Sequence, residues 1–508
     1  MSSKILSTAI IGLEAVEVEV EADIGGGELG SFSIVGLPDM AVSEAKERVR
    51  SAIKNSGFDF PRLKVTVNLA PANLKKHGPV YDLPIAISIL LALNKIKVSP
   101  EVLIKSWFIG ELALDGSLRP VEGILAAAYK AQDLGLENLF VPEANAHEAK
   151  LINNLEVFAG KNLRQVVDHL TGKNLIIPTI FESILFVAKQ VPWDFSQISG
   201  QDHAKRALTI AAAGAHNLLM SGPPGSGKTM LARALPSILP DLSLEEALEL
   251  TRIYSVAGAL APGQAVVNSR PWRAPHHSSS VPAIIGGGAW PKPGEVSLAH
   301  RGVLFLDEFG EFPRAILEAL RQPLEDGVLT VARASTSLTF PAKFMLIASM
   351  NPCPCGFLYD SEKPCRCTAS QVSAYRRKLS GPIMDRIDLY LEVPRLPFRE
   401  LDIKGSVSSA ELKEQVIRAR VSQSQRFAKT PFLTNKEMTV EGVRQFCVLD
   451  QASRHLLEKS VEQLHLSPRG YFRVLKVART IADLADHNDI TLTDLAEALQ
   501  YRPSSTIS

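Results

Sequence analysis

Two stretches carry residue types able to hold and cleave a phosphoanhydride. Gly222, Pro223, Pro224, Gly225, Ser226, Gly227, Lys228 and Thr229 follow the short apolar run 217–221 and precede a helical pattern reaching Leu235. Between a strand and a helix, this GxxxxGK[ST] spacing lets backbone amides curl around phosphate oxygens. Lys228 then reaches the β- and γ-phosphates, Thr229 offers a hydroxyl to Mg²⁺, and the helix start adds a field that favours an anion. About 80 residues on, the apolar run Val303–Leu306 ends in Asp307 and Glu308. Open α/β sheets place ligands at the carboxyl ends of strands. Asp307 is expected to hold Mg²⁺ through water, and Glu308 to orient and polarise the attacking water. Alone, such a pair marks no more than a strand end; the phosphate loop gives it meaning. A third apolar run, 344–350, ends in Asn351, which could hydrogen-bond that water or the γ-phosphate. An Asn before a proline is also a common turn, and spacing does not decide between the two.

Cys353, Cys355, Cys365 and Cys367 crowd into fifteen residues as two C-x-C pairs separated by nine. Four thiolates in one loop can surround tetrahedral Zn²⁺, although pairs in zinc sites more often have two or more residues between them. Pro352, Pro354 and Pro364 stiffen the loop. Free thiols or a redox-labile pair are the alternatives. Because the cluster directly follows Asn351, losing a metal there would displace that residue. Cys447 stands apart and is expected to be buried. His276 and His277 could ligate a metal, but adjacent histidines usually diverge.

The elements that must position these groups fall into blocks. With 508 residues the chain has room for about three domains. Residues 1–170 form an α/β block. Alternation over Glu14–Glu21 predicts a half-buried strand, and Leu63–Leu69 another. Helices are expected at Ser43–Ser56, Leu83–Leu93 and Gly123–Leu134, the last closed by Gly135. Residues 171–192 are a linker with a short apolar helix. Residues 193–394 alternate short apolar runs with helices, the pattern of a doubly wound parallel sheet. Residues 395–508 are mostly helical, with periodic segments Ala410–Phe427, Glu441–Leu449, Ser453–His465, Tyr471–Asp486 and Thr493–Tyr501.

Composition excludes several classes. Lys plus Arg is 55 against 54 for Asp plus Glu, a net charge of +1, which argues against a histone-like or polybasic membrane-surface protein. It leaves room for a local basic channel. Apolar content of 46% with 21% charged residues fits a globular chain rather than a disordered one. No apolar run reaches the ~18 residues of a membrane helix. The amino-terminal stretch does not read as an export signal, and five cysteines do not make a disulfide framework in a chain this long. These features predict a cytoplasmic protein with no membrane partner.

Together, the phosphate loop, Asp307–Glu308 and Asn351 resemble the AAA+ ATPases, in which Asn351 matches sensor 1. The segments 199–208, 270–277, 351–356 and 379–388 are similar to those of the ComM (YifB) family of magnesium-chelatase-like AAA+ proteins, and the resemblance runs from about Ser7 to Arg502. It implies ATP with Mg²⁺ as cofactors, and Gly200 and Gln201 in a loop bordering the adenine. Arg386 resembles an arginine finger reaching the γ-phosphate on a neighbouring subunit; a salt bridge with Asp385 or Asp388 is the plainer reading. Arg469 resembles sensor 2, with Arg473 as the fallback. A finger acting in trans implies a ring, a homo-hexamer. The implied fold is an α/β amino-terminal domain like that of Lon proteases (ChlI-type), an AAA+ P-loop doubly wound parallel sheet core and a carboxy-terminal helical lid.

The first block resembles the Lon protease domain through residues 76–86 and 109–123. Val80 and Ala127 stand where the Ser–Lys pair would lie, and neither can attack or accept a proton, so protease activity is not expected. Lys75, Lys76 and His77 could touch phosphates but read more simply as a solvated basic turn. Residues 254–300 resemble an insertion that projects into the ring pore, and 326–336 a hairpin whose Arg333 could contact DNA. Members of this family act as hexameric helicases driving branch migration in natural transformation, which implies branched or single-stranded DNA as partner. The rival readings are a magnesium-chelatase motor and an ATPase that remodels a protein partner.

Overall fold

The computed structural model describes residues 2–26, 30–180, 192–261, 263–288, 290–333, 336–358, 360, 362–378, 381–397 and 407–502. Residues 181–191 of the linker, in which a short apolar helix is expected, lie outside the described residues. The chain divides into two compact units, one from residues 1–186 with 244–268, the other from 187–243 with 269–508.

The first unit is built on a seven-stranded mixed sheet. Its strands run in the order Phe32–Val35, Lys64–Ala70, Glu14–Gly25, Ser2–Ile11, Ser106–Phe108, Asn138–Pro142, Glu156–Gly160. The alternating strand behaves as its pattern dictates: Val18, Val20 and Ala22 are buried while the glutamates between them face outward. The helix Asp82–Ala92 lies almost wholly inside. Its one charged residue, Asp82, is met by Arg48 at 2.7 Å. Burial still pushes that carboxyl up to about 6. Val80 sits in a short turn, and Ala127 is buried in helix Ile124–Asp133. The solvated basic turn needs correcting at one residue. Lys76 is fully buried and donates to the Pro71 carbonyl, and His77 pairs with Asp39.

The helix Leu244–Ala257 belongs to this unit, although its sequence lies inside the block 193–394. Ser255 donates to the buried Glu148 carboxylate, the Ser255 carbonyl accepts from Gly123 N–H at 3.3 Å, and Arg252 donates to the Leu13 carbonyl at 2.8 Å.

The second unit has a five-stranded, all-parallel sheet in the order Trp272–Arg273, Val303–Leu306, Met345–Met350, Leu218–Ser221, Leu389–Glu392. Helices flank it, as continuous apolar strands require. The last block folds as the helices Ser409–Phe427, Val440–Phe446, Gln451–Gln463, Pro468–Leu484 and Leu492–Gln500, close to the periodic segments of the sequence. Side-chain caps from Ser408, Thr439, Asp450, Ser467 and Thr491 start them. Their inner residues, among them Val416, Val474 and Leu495, share one apolar core with Leu218, Ile347 and Leu389 of the sheet. Among the described residues no helix is long and apolar enough to cross a membrane.

Polar groups pin this core together at the root of the strand Leu218–Ser221. Asn217 N–H donates to Asp388 at 2.8 Å, and the Asn217 side chain donates to the Arg386 carbonyl at 2.9 Å. Its amide oxygen accepts from Leu346 N–H at 3.0 Å and from Lys436 at 2.7 Å. Asp388 also faces Arg473 at 3.5 Å and His216 at 3.7 Å. Burial alone would raise its carboxyl, but Arg473, His216 and Lys436 hold it far below the usual range. Removing one member of a buried charged set costs about 3–5 kcal/mol, so Asp388→Ala should lower unfolding stability by about that amount at pH 7. Because the folded pKa is depressed, the contribution is complete above the unfolded value of ~3.9 and is lost as pH falls below it. Urea melts at pH 7 and pH 3.5 test this: the gap between wild type and variant should narrow at the lower pH.

Candidate functional site

The phosphate loop leaves the sheet from its interior. Leu218–Ser221 lies between Met345–Met350 and Leu389–Glu392, in parallel register with both. Gly222 follows at once, and a Cβ there would come within 2.1 Å of the Val393 carbonyl oxygen. Gly225 and Gly227 take φ of +79° and +90°, the left-handed backbone that a side chain disfavours. The helix Lys228–Ala234 then begins. The Lys228 ammonium donates to the Gly222 and Pro223 carbonyls at 2.7 and 2.8 Å, with Ser226 Oγ at 3.5 Å. Burial pulls this lysine down to about 8, against a smaller opposing pull from Asp307. Gly200 and Gln201 flank the loop: both have left-handed φ, and Gln201 Nε2 donates to the Pro394 carbonyl at 2.8 Å and the Ser226 carbonyl at 3.4 Å.

The two groups expected to hold Mg²⁺ meet directly. Thr229 Oγ1 donates to Asp307 Oδ2 at 3.0 Å. The other carboxylate oxygen accepts from Glu308 N–H at 3.0 Å and from Ser349 Oγ. This hydroxyl–carboxylate pair, at the strand ends beside a lysine, is a donor set of hard oxygens suited to Mg²⁺. Ser349 was not a sequence candidate. The available signal was one hydroxyl in the apolar strand Met345–Met350, two residues before Asn351.

Glu308 adopts φ +53°, uncommon outside glycine, and its side chain is half exposed. His277 Nδ1 lies 3.1 Å from its carboxylate, and the His276 and His277 rings are 4.1 Å apart. His276 instead meets Ser278 Oγ at 2.8 Å. The two rings thus have different partners, Glu308 for His277 and Ser278 for His276. Asn351 follows its strand directly, and its backbone meets the Tyr375 hydroxyl.

Arg386 and Arg469 converge elsewhere, on one acid the sequence did not single out. Glu325 Oε2 pairs with Arg386 and Oε1 lies 2.6 Å from Arg469 Nη2. Arg386 is buried and also donates to the Pro382 carbonyl at 2.5 Å. Neither Asp385 nor Asp388 is its partner. Among the described residues, neither arginine has a hydrogen bond or ion pair with the phosphate loop, Asp307 or Glu308. Arg473 is committed to Asp388. The hairpin is present as Val328–Arg333 paired with Thr336–Pro341, while the side chain of Arg333 lies outside the described atoms.

All four clustered cysteines come together, with ligand atoms within 4.8 Å of one another. They are the only set of three or more Cys, His, Asp or Glu so gathered among the described residues. Backbone N–H groups of Phe357 and Arg366 draw the Cys355 thiol down to about 6. Cys447 is buried apart from them, and burial pushes its thiol up to about 12.

Three family descriptions match the chain. Residues 194–401 match magnesium chelatase, subunit ChlI; residues 18–145 match subunit ChlI of Mg-chelatase; and residues 406–502 match the ChlI carboxy-terminal region. Competence protein ComM of Haemophilus influenzae is 44% identical over 509 residues, covering 98% of this chain and 97% of that protein. YifB of Escherichia coli is 44% identical over 506 residues, covering 99% and 97%. The magnesium-chelatase 38 kDa subunit of Rhodobacter capsulatus is 30% identical over 177 residues, covering 31% of this chain and 50% of its own.

The lysine supplies a prediction with a definite sign. Its free-state value is about 8, and a bound triphosphate favours the charged form. Nucleotide binding should therefore take up a proton above that pH, and affinity should fall by up to about tenfold per pH unit. Titration calorimetry across pH 7–9.5 tests this; a flat affinity over that range would contradict it.

Proposed function

The chain belongs to the ComM/YifB family of magnesium-chelatase-like AAA+ ATPases, and from that membership we propose that it is an ATP-hydrolysing ring motor, a homo-hexamer, that moves branched DNA. Family membership implies ATPase activity. The observation that carries the catalytic part is the closed set Thr229–Asp307–Ser349 beside Lys228 and Glu308. The DNA part is supported by likeness along almost the full chain to a protein named for competence.

In this reading Lys228 exchanges loop carbonyls for the β- and γ-phosphates. Thr229 and Asp307 hold Mg²⁺, which when bound neutralises charge developing on the phosphate oxygens. Glu308 turns the attacking water toward phosphorus, and Asn351 donates to that water or to the γ-phosphate. Gly200 and Gln201 border the base. Arg386 and Arg469 leave Glu325 and reach the γ-phosphate bound by the neighbouring subunit, where they offset transition-state charge. Sharing one carboxylate supports a joint role for the two. The 254–300 segment and the 326–336 hairpin, with Arg333, grip the DNA backbone without reading its sequence.

The similarity to a magnesium-chelatase subunit supports a second reading, a motor acting on a protein partner, though it covers only 31% of the chain. A labelled four-way junction separates the two. Purified protein with ATP should convert it to products, and Lys228→Ala and Glu308→Gln should not. Glu308→Gln should still bind ATP while hydrolysis falls by about 10²–10⁴-fold. Normal hydrolysis with no junction movement, and no stimulation by DNA, would favour the partner-remodelling reading.

A further inference from the structure

The cysteine cluster has geometry that its spacing could not supply. Cys353 Sγ lies 3.4 Å from Cys355 Sγ and 3.7 Å from Cys365 Sγ, and the Cys355 and Cys365 sulfurs are 3.5 Å apart. A disulfide needs sulfurs at roughly 2.05 Å, so none of these pairs is one, and all four cysteines are free thiols. Four thiolates around one zinc, each at ~2.3 Å, sit about 3.8 Å apart along the edges of a tetrahedron. The observed separations approach that edge. A polynuclear iron–sulfur cluster would have to spread its thiolates over several irons, which sulfurs this close do not allow.

The surroundings fit the same ion. An all-sulfur donor set selects against Mg²⁺ and Ca²⁺. Backbone N–H groups of Cys355 and Cys367 donate to the sulfurs of Cys367 and Cys365, each at 3.4 Å, the kind of contact that orients and stabilises metal-bound thiolates. Lys363 lies between the two pairs in sequence and Arg366 inside the second, and both bring positive charge to a site that would carry a net negative one. The loop also touches the nucleotide site. Cys353 is two residues after Asn351. Gly356, at φ +83°, packs so closely that a Cβ there would fall 2.6 Å from Pro224 of the phosphate loop and 3.7 Å from the Asn351 side chain.

We propose that Cys353, Cys355, Cys365 and Cys367 bind one structural Zn²⁺, and that this zinc loop is a brace holding Asn351 and the phosphate loop in register. The four cysteines are positioning residues that act through Asn351 and Pro224. The bracing part rests on the ATPase reading; the metal site does not.

Metal analysis of the purified full chain tests the site without any variant. One zinc per chain, released in step with titration of four thiols by a mercurial, is expected. Cobalt exchanged into the site should give the intense thiolate-to-metal absorption of tetrahedral sulfur ligation. Less than a fifth of a zinc equivalent (roughly), or iron in its place, overturns the site. Chelation of the zinc-loaded protein tests the brace. Turnover should fall about tenfold or more, zinc but not added magnesium should restore it, and the melting temperature should shift little. Unchanged turnover in zinc-free protein overturns the brace while leaving the metal site standing. A metal-loaded chain that hydrolyses no ATP at all would instead count against the ATPase reading. Cys365→Ser with Cys367→Ser provides a permanent zinc-free form, and its circular dichroism shows whether the fold is kept.

Discussion

One side chain holds the second unit in register. Asn217 starts the strand that ends in the phosphate loop, and its amide reaches Leu346 on the neighbouring strand, the carbonyl of Arg386 and the ammonium of Lys436 from the helical block. Its backbone adds Asp388. Buried amides must spend all their hydrogen-bonding capacity inside the protein, so this arrangement admits one relative placement of the two strands. That register sets Ser221 beside Met350, and hence the phosphate loop beside Asn351. The same register runs through Leu306 beside Ala348, which brings Asp307 against Ser349. The groups of the candidate site come from three strands and meet because the sheet is parallel and every strand ends on the same edge.

The arginines follow a different logic. A buried guanidinium needs a carboxylate or carbonyl partner, and Glu325 supplies one for Arg386 while also holding Arg469. The pair is thus kept together and away from the chain's own phosphate loop. This is the arrangement a site shared between subunits would need: arginines paired within one chain until a neighbour's phosphate competes for them. Glu308 is restrained in a comparable way by His277.

What could be read from sequence alone was what depends on near neighbours. The phosphate loop was legible because its glycines, lysine and threonine act within eight consecutive positions. The helices of the last block were legible because caps and apolar period agree, and the strand Glu14–Gly25 because each outward glutamate is followed by an inward apolar side chain. Contacts made at long range were not. Ser349 gains its meaning only from a strand 42 residues away, and Glu325 from arginines 61 and 144 residues away. Lys76 reads as a solvated charge although its acceptor, the Pro71 carbonyl, is only five residues back, because its burial is set by the fold around it. The helix Leu244–Ala257 carries a helical pattern, but no pattern says which unit it joins. The buried Ser255–Glu148 contact is a property of the fold.

In the proposed ring each nucleotide is cleaved by residues from two chains. Mixing two inactive variants tests this most directly. Lys228→Ala lacks the phosphate grip but keeps Arg386, while Arg386→Ala keeps the grip but lacks the finger. Each alone should hydrolyse almost no ATP, and mixed subunits should regain activity at interfaces that pair an intact loop with an intact arginine. Recovery that rises and then falls with the mixing ratio is the predicted result. If the mixture stays as inactive as its components while still assembling, or if Arg386→Ala alone hydrolyses ATP at the wild-type rate, the shared site is contradicted.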